Sequence, residues 1–164
     1  MFKLGKKNKA LQNDTKLYAP VTGQLIALEN VSDPVFAQKI MGDGYAIEPS
    51  DSKIVSPVAG EVTVMQHHAI GFKRADGLEV LLHLGIDTVS LNGAPFKINV
   101  SVGEIVEAGE SLGQADWEQV EAAGLDKTTM VIITNTADKL SDLSLKTADV
   151  PVTAGDVVGE ATSK

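Results

Sequence analysis

All three histidines of the chain, His67, His68 and His83, fall inside one stretch, QHHAIGFKRADGLEVLLHLGIDT from Gln66 to Thr88. Two apolar-rich runs there flank a polar turn, Lys73-Arg74-Ala75-Asp76-Gly77, which is the signal of a β-hairpin. Read at a period of two, Leu78, Val80, Leu82, Leu84 and Ile86 share one face of the second strand, and Glu79, Leu81, His83, Gly85 and Asp87 share the other. The first is a core face. The second carries two carboxylates that a chain of this size would not bury unpaired, so His83 is expected at solvent or in a shallow cleft. A turn centred on Ala75 and Asp76 puts His68 opposite His83, and one centred on Asp76-Gly77 puts it diagonal on the same face. Either register makes the imidazoles neighbours, with β-carbons about 5 to 8 Å apart. A loop of odd length would send them to opposite faces.

Two neighbouring imidazoles on an exposed strand admit three readings. One ring could be a nucleophile that takes a phosphoryl group and passes it on, since an unperturbed pKa of about 6.5 leaves most of it neutral at pH 7. The second ring would then hydrogen-bond a phosphoryl oxygen, and catalysis would be mostly positioning and electrostatics. Alternatively the pair binds zinc, with Asp87 or Glu79 as a third ligand because the chain has no cysteine. The third reading gives the pair no role. All of the protein's imidazole in one hairpin, on a strand whose other face is core, favours function.

The rest of the chain has to hold that hairpin. Its 164 residues are 43% hydrophobic, enough for one domain with a sizeable core. No apolar run approaches a membrane span and no signal peptide is visible, so a cytoplasmic protein without an integral membrane segment is expected. The absence of cysteine excludes disulfides and a thiol nucleophile. A net charge of −8 argues against nucleic acid. Residues 1–16 carry Lys3, Lys6, Lys7, Lys9 and Lys16 and read as a mobile basic tail, with a short membrane-touching amphipathic segment as the sharper alternative. Residues 17–164 then form the single domain.

From Leu17 onward, short apolar runs punctuated by glycine and proline predict an all-β fold. Asp33-Pro34 reads as an N-cap and first helical residue of a turn or two through Met41. Asp116 with Gln119 resembles a capping box closed by Gly124, and Thr136 to Leu145 is expected to hold another helix. Pro20-Val21-Thr22-Gly23-Gln24-Leu25 returns 37 residues later as Pro57-Val58-Ala59-Gly60-Glu61-Val62. Residues 106–115 and 152–161 share the template V-x-A-G-acid-x-apolar-G-x-A. Duplicated turns of this kind predict an antiparallel barrel sandwich with an internally repeated hairpin motif and a few short helices.

The stretch from Leu78 to Gly93, LEVLLHLGIDTVSLNG, resembles the active-site signature of the glucose-type IIA components of the bacterial phosphoenolpyruvate-dependent sugar phosphotransferase system. His68-Ala69-Ile70 lies fifteen residues before His83, as the second histidine of that family does. Val35 to Lys39, Gly42-Asp43-Gly44 and Ala46-Ile47 resemble another family stretch, and Ala19 to Gly23 the first strand; the likeness covers roughly residues 17–162. It implies a cytoplasmic phosphotransferase with no cofactor. HPr would phosphorylate His83 on Nε2, His68 would support the phosphoryl group, and His83 would hand the group to a cysteine of a sugar-specific IIB domain. It also implies a shallow partner-docking patch at Val35, Phe36, Ile40, Met41, Val64, Leu81 and Val89, rimmed by Asp33 and Asp87. Gln66 stands where the family has a threonine that hydrogen-bonds the second histidine, a role an amide can also fill. The resemblance requires no metal, and His68 with His83 is where an adventitious or regulatory zinc would bind.

Three rivals are weighed beside it. A regulatory module would dock transporters or enzymes through the same face, as family members also do. A zinc peptidase of the lysostaphin type needs a His-x-His pair that this chain lacks. A biotinyl or lipoyl carrier needs its lysine on a hairpin tip, whereas Lys139 lies in a helical pattern. The sugar is not legible, because a IIA carries no sugar site.

Overall fold

The structure is a computed structural model and describes residues 9–164. Among the described residues, fourteen strands and three short α-helices follow one another. The order is β1 (Lys16–Tyr18), β2 (Gly23–Ile26), α1 (Pro34–Ala37), β3 (Asp43–Pro49), β4 (Lys53–Val55), β5 (Gly60–Met65), β6 (Ala69–Lys73), β7 (Glu79–Leu84), β8 (Phe96–Ile98), β9 (Ile105–Val106), β10 (Ser111–Ala115), α2 (Trp117–Ala122), β11 (Thr129–Ile133), α3 (Thr136–Lys139), β12 (Leu140–Leu145), β13 (Val150–Val152) and β14 (Val157–Ser163). The strands form an eight-stranded sheet, β13-β2-β3-β11-β7-β6-β5-β9, and two three-stranded sheets, β1-β14-β12 and β4-β10-β8. Every pairing is antiparallel, as the all-β sandwich expectation requires.

The duplication legible in the sequence is the symmetry of the fold. From one edge the large sheet reads β13-β2-β3-β11, and from the other it reads β9-β5-β6-β7. The Tyr18 N–H donates to the Pro57 carbonyl (2.9 Å), and its counterpart in the other half, the Val55 N–H, donates to the Pro20 carbonyl (2.8 Å). In the ten-residue template the acid closes the turn: Asp156 Oδ2 accepts from the Thr153 N–H (2.8 Å) and Glu110 Oε1 from the Glu107 N–H (3.0 Å). The glycines before those acids, Gly109 and Gly155, take φ of 81° and 92°, a region that residues with a Cβ avoid. In each copy the strand before the turn edges the large sheet and the strand after it enters a three-stranded one.

Two apolar clusters fill the space between and beyond the sheets. The main core takes Leu78 and, from β7, Val80, Leu82 and Leu84, as the alternation predicts, with Phe72, Val131, Ile133 and the inward residues of both halves. A second, smaller core lies on the opposite face of the large sheet: Leu28, Val31, Phe36, Ala46, Ile86, Met130 and Ile132. One expectation is corrected here. Ile86 is buried, but not with the other even-numbered residues, because β7 ends at Leu84 and positive φ at Gly85 (78°) and Asp87 (62°) swings the chain to the other side. On that side residues 27–42 cover the β3–β11 half of the sheet.

The helices follow their caps. Asp33 accepts from the Val35 N–H (2.9 Å) and opens α1, and Asp116 accepts from the Gln119 side chain (3.1 Å) and opens α2, which stops before Gly124 at φ 77°. The third helix is shorter than expected. Only Thr136–Lys139 is helical, and Leu140–Leu145 is a strand whose pairing with β14 outweighs the local pattern. Of the stretch expected to be a basic tail, residues 1–8 lie outside the described residues. Beyond them the Lys9 ammonium meets Glu110, the Thr15 hydroxyl donates to Glu160 (2.6 Å), and Lys16 already belongs to β1. Among the described residues no helix is long and apolar enough to cross a membrane.

Candidate functional site

Strand β7 lies between β11 and β6, so His83 is flanked by Met130 on one side and Ala69 on the other. The register differs from both expected ones. Ala69 faces His83 and Lys73 faces Glu79, so the loop Ala75-Asp76-Gly77 has three residues and is odd. By strand parity alone His68 would then point into the core. It does not, because β6 begins only at Ala69 and the preceding residues form a tight turn. The His68 N–H donates to the Gln66 carbonyl (2.6 Å), and His67 sits at φ 58°. That left-handed residue rotates His68 back to the outer face, and the two imidazoles meet edge to face with centroids 5.4 Å apart. The predicted neighbourhood is thus real, but a strained turn makes it rather than a ladder.

Each ring is held by one nitrogen. His83 Nδ1 lies 2.7 Å from the Gly85 carbonyl and His68 Nδ1 lies 2.9 Å from the Gln66 carbonyl. A carbonyl only accepts, so in each neutral ring the proton is on Nδ1 and the lone pair is on Nε2. The support of His68 comes from the Gln66 main chain, and the Gln66 side chain is exposed. A third ring completes the site: Phe36, only 6% exposed, packs tilted on His83 with centroids 5.2 Å apart. Burial pushes the His83 imidazole below its ordinary value and outweighs the Gly85 hydrogen bond and the Asp33 and Asp87 charges, which act the other way; the neighbouring His68 adds to the lowering. That lowering favours the neutral His83 ring, with its lone pair on Nε2.

The turn that presents the Gly85 carbonyl carries residues to which the sequence pattern assigned no role. Thr88 is fully buried and its hydroxyl donates to the Leu84 carbonyl (2.5 Å), while the Ile86 N–H donates to the Asp126 carbonyl (2.9 Å). A Cβ at Gly85 would stand 2.5 Å from Thr88 Cγ2 in a backbone region at φ 78°. Gly85→Ala is accordingly expected to cost about 2–3 kcal/mol of folding stability. It should also loosen the Nδ1–H tautomer of His83 in the folded protein, since the carbonyl that fixes it moves. Urea unfolding together with the Nδ1–H resonance of His83 checks both. The signal for this turn was a glycine two residues after the histidine and a threonine three residues after that glycine.

The docking residues implied by the resemblance fall into two groups. Ile40 is 67% and Val89 61% exposed, and Val35 and Val64 are exposed as well. Val64 reaches this face through a bulge: Val62 pairs with Phe72 but Val64 with Gly71, so Thr63 is the extra residue and the parity flips. Leu81 and Met41 are half-buried, and Phe36 is a packing residue of the His83 ring more than a surface one. Asp33 and Asp87 are near enough for their charges to act on His83. Among the described residues no group of three or more His, Asp or Glu could hold a metal ion. Lys139 ends α3 and is not on a hairpin tip.

The duplication explains why the site is open where it is. Leu82 faces Val131 at the centre of the sheet, so counting outward makes Ile132 the counterpart of His83, and Met130 that of Leu81. Ile132 and Met130 are covered by residues 27–42. The corresponding connection in the other half is only Gln66-His67-His68, which leaves His83 reachable and supplies its companion.

The model of the family described as "phosphoenolpyruvate-dependent sugar phosphotransferase system, EIIA 1" matches residues 15–139. A "PTS system glucose-specific EIIA component" of Staphylococcus aureus (strain COL) is 44% identical over 139 residues, covering 83% of this chain and 84% of that protein. The "PTS system glucose-specific EIICBA component" of Streptococcus pneumoniae serotype 4 is 46% identical over 142 residues, and there the chain spans only 20% of the relative's length. Among solved structures, glucose permease IIA from Mycoplasma capricolum matches with a TM-score of 0.76 and 35% identity, over 88% of this chain and 93% of that one.

Proposed function

Because the chain belongs to the EIIA 1 family of the phosphoenolpyruvate-dependent sugar phosphotransferase system, and so is a phosphotransferase component of sugar uptake, we propose that His83 Nε2 is the atom that carries its phosphoryl group. A phosphocarrier of this family takes the group from HPr and gives it to a IIB domain. The observation that carries the assignment is the pair of Nδ1 hydrogen bonds to main-chain carbonyls, which leaves Nε2 as the free nitrogen of both rings. Between the two rings, His83 is the one on a rigid central strand, buried enough to stay neutral.

In the transfer, the Nε2 lone pair attacks phosphorus in line with the donor's P–N bond. That bond breaks, the donor imidazole keeps its electron pair, and a new P–Nε2 bond forms. Positive charge then grows on the His83 ring, and the Nδ1–H bond to the Gly85 carbonyl strengthens as it does. With a proton taken up from solvent on Nε2, the His68 ring donates to a phosphoryl oxygen. Asp33 and Asp87, whose charges reach His83, would meet a basic partner, and the aliphatic Val35, Ile40, Val64, Leu81 and Val89 would form the rest of a small transient interface. The named relatives are glucose-specific, and the proposal extends to a glucose-type sugar delivered by the IIB and IIC partners, with this chain on the cytoplasmic side.

Incubation with phosphoenolpyruvate, enzyme I and HPr tests the assignment. Wild type should acquire one acid-labile phosphoryl group. His68→Gln should acquire it too, yet deliver it to IIB about a hundredfold more slowly, as for loss of one donor to a transferring phosphoryl group. Equal delivery by both proteins would remove His68 from the mechanism.

The pH dependence follows from burial. The reactive form of His83 is neutral, and its pKa lies below the ordinary 6.5. Acceptance should therefore hold near its plateau as pH falls through 6.5 and decline only below that value. A titration of the His83 ring by NMR beside the rate profile checks this, and a midpoint above the ordinary imidazole value would contradict it.

A further inference from the structure

Residues 27–42 bring Phe36 and Asp33 to His83, and their seat on the sheet is both apolar and ionic. Leu28, Val31 and Phe36 bury against Ala46, Met130, Ile132 and Ile86. At the far end of the segment, Lys39 takes φ 60°, the left-handed region that residues with a Cβ disfavour. Its N–H donates to the Phe36 carbonyl (3.0 Å) and its carbonyl accepts from the Gly42 N–H (3.1 Å). That backbone turn sends the side chain back across the segment. The ammonium lies 3.1 Å from Glu29, in the 3-10 turn Leu28–Asn30, and 3.4 Å from Asp43, the first residue of β3. Asp43 is itself anchored, its N–H donating to Thr136 Oγ1 (3.0 Å).

We propose that Lys39 is a positioning residue for the phosphoryl transfer, clasping the start and the end of the 27–42 segment so that Phe36 stays seated on the His83 ring. The clasp joins three points that also meet through the apolar core: the 3-10 turn, the end of α1 and the large sheet. The ion pair is visible in both partners. The Glu29 hydrogen bond raises Lys39 above the ordinary lysine value, and Glu29 is lowered by a backbone hydrogen bond first and by Lys39 second. Partly exposed ion pairs contribute little to folding. The expected consequence is therefore on the placement of Phe36 and not on whether the chain folds. The charges that act on His83 are those of His68, Asp33 and Asp87, so Lys39 reaches it through the segment and the Phe36 contact.

This inference rests on His83 as the acceptor, and two readouts separate the two claims. Lys39→Gly keeps a left-handed backbone and loses the ammonium, while Lys39→Arg restores the charge. Lys39→Gly should accept the phosphoryl group from phospho-HPr about fivefold more slowly at saturating donor, the size expected for one lost partly exposed ion pair. Its His83 NMR titration midpoint should move up toward the ordinary imidazole value as Phe36 uncovers the ring, and Lys39→Arg should recover both. A folded Lys39→Gly with the wild-type midpoint overturns the proposal, whatever its rate. If that variant does not fold, Glu29→Gln removes the clasp from its other side and is read in the same two ways. A wild-type protein that gains no label at His83 refutes the acceptor assignment alone, since the titration still reports what Lys39 does.

Discussion

His83→Gln should lose phosphoryl acceptance by more than about a thousandfold while its stability stays within about 1 kcal/mol of wild type. The two halves of that expectation have different origins. Acceptance vanishes because an amide nitrogen has no lone pair free for attack on phosphorus, and His68 Nε2, on a turn rather than on the central strand, does not replace it. Stability persists because the His83 side chain is only half-buried and belongs to neither apolar cluster, and because glutamine can still donate to the Gly85 carbonyl. Stopped-flow transfer from phospho-HPr with a parallel urea melt separates the two. A variant that keeps even a tenth of the wild-type rate is incompatible with a His83 carrier.

Arg74→Ala should be the most damaging change away from the histidines, costing about 3–5 kcal/mol out of a typical domain stability of about 5–15 kcal/mol. Arg74 is 3% exposed. Its Nε donates to Asp76 Oδ1 (3.1 Å), and one terminal nitrogen donates to Asp76 Oδ2 (2.5 Å) and to the Ala161 carbonyl (2.8 Å). It thereby ties the β6–β7 loop to β14 in the neighbouring sheet. Truncation leaves the Asp76 carboxylate without its cation and the Ala161 carbonyl without this donor. Arg74→Lys should rescue only part, because an ammonium cannot reproduce the planar fork, whereas Arg74→Met, which fills the volume, should cost less than alanine if desolvation is the main penalty. The loop lies at the end of the hairpin away from His83, so whatever fraction of each variant is folded should accept phosphoryl groups normally. Urea midpoints for the three variants, with transfer rates per folded molecule, check the ordering.

How much of this was legible in the chain differs from residue to residue. The face assignment of β7 was readable because alternation is a local property: Leu82 and Leu84 are fully buried and His83 is not. The duplicated template was readable because the acid and the glycine of each turn act within four residues of each other. Pairing was less so. The loop is odd, so parity taken alone would have separated the histidines, and only the positive φ at His67 brings His68 back. Nothing in the composition of Gln66-His67-His68 marks a left-handed histidine. Val64 illustrates the same limit, since the bulge at Thr63 that exposes it is fixed by the partner strand. Arg74 read as a polar turn residue, and its burial depends on β14, far away in the sequence. Phe36 was expected on a docking surface and is mainly a wall of the His83 ring, because the 27–42 segment folds over the sheet half that duplication would otherwise have left bare.

The most direct test of the central claim is nitrogen-detected NMR of the phosphorylated protein, which distinguishes attachment at the two imidazole nitrogens. The hydrogen bond from His83 Nδ1 to the Gly85 carbonyl predicts phosphorus on Nε2 of His83, with the Nδ1 proton retained and still bonded. Phosphorus on Nδ1 of His83, or on either nitrogen of His68, would contradict it.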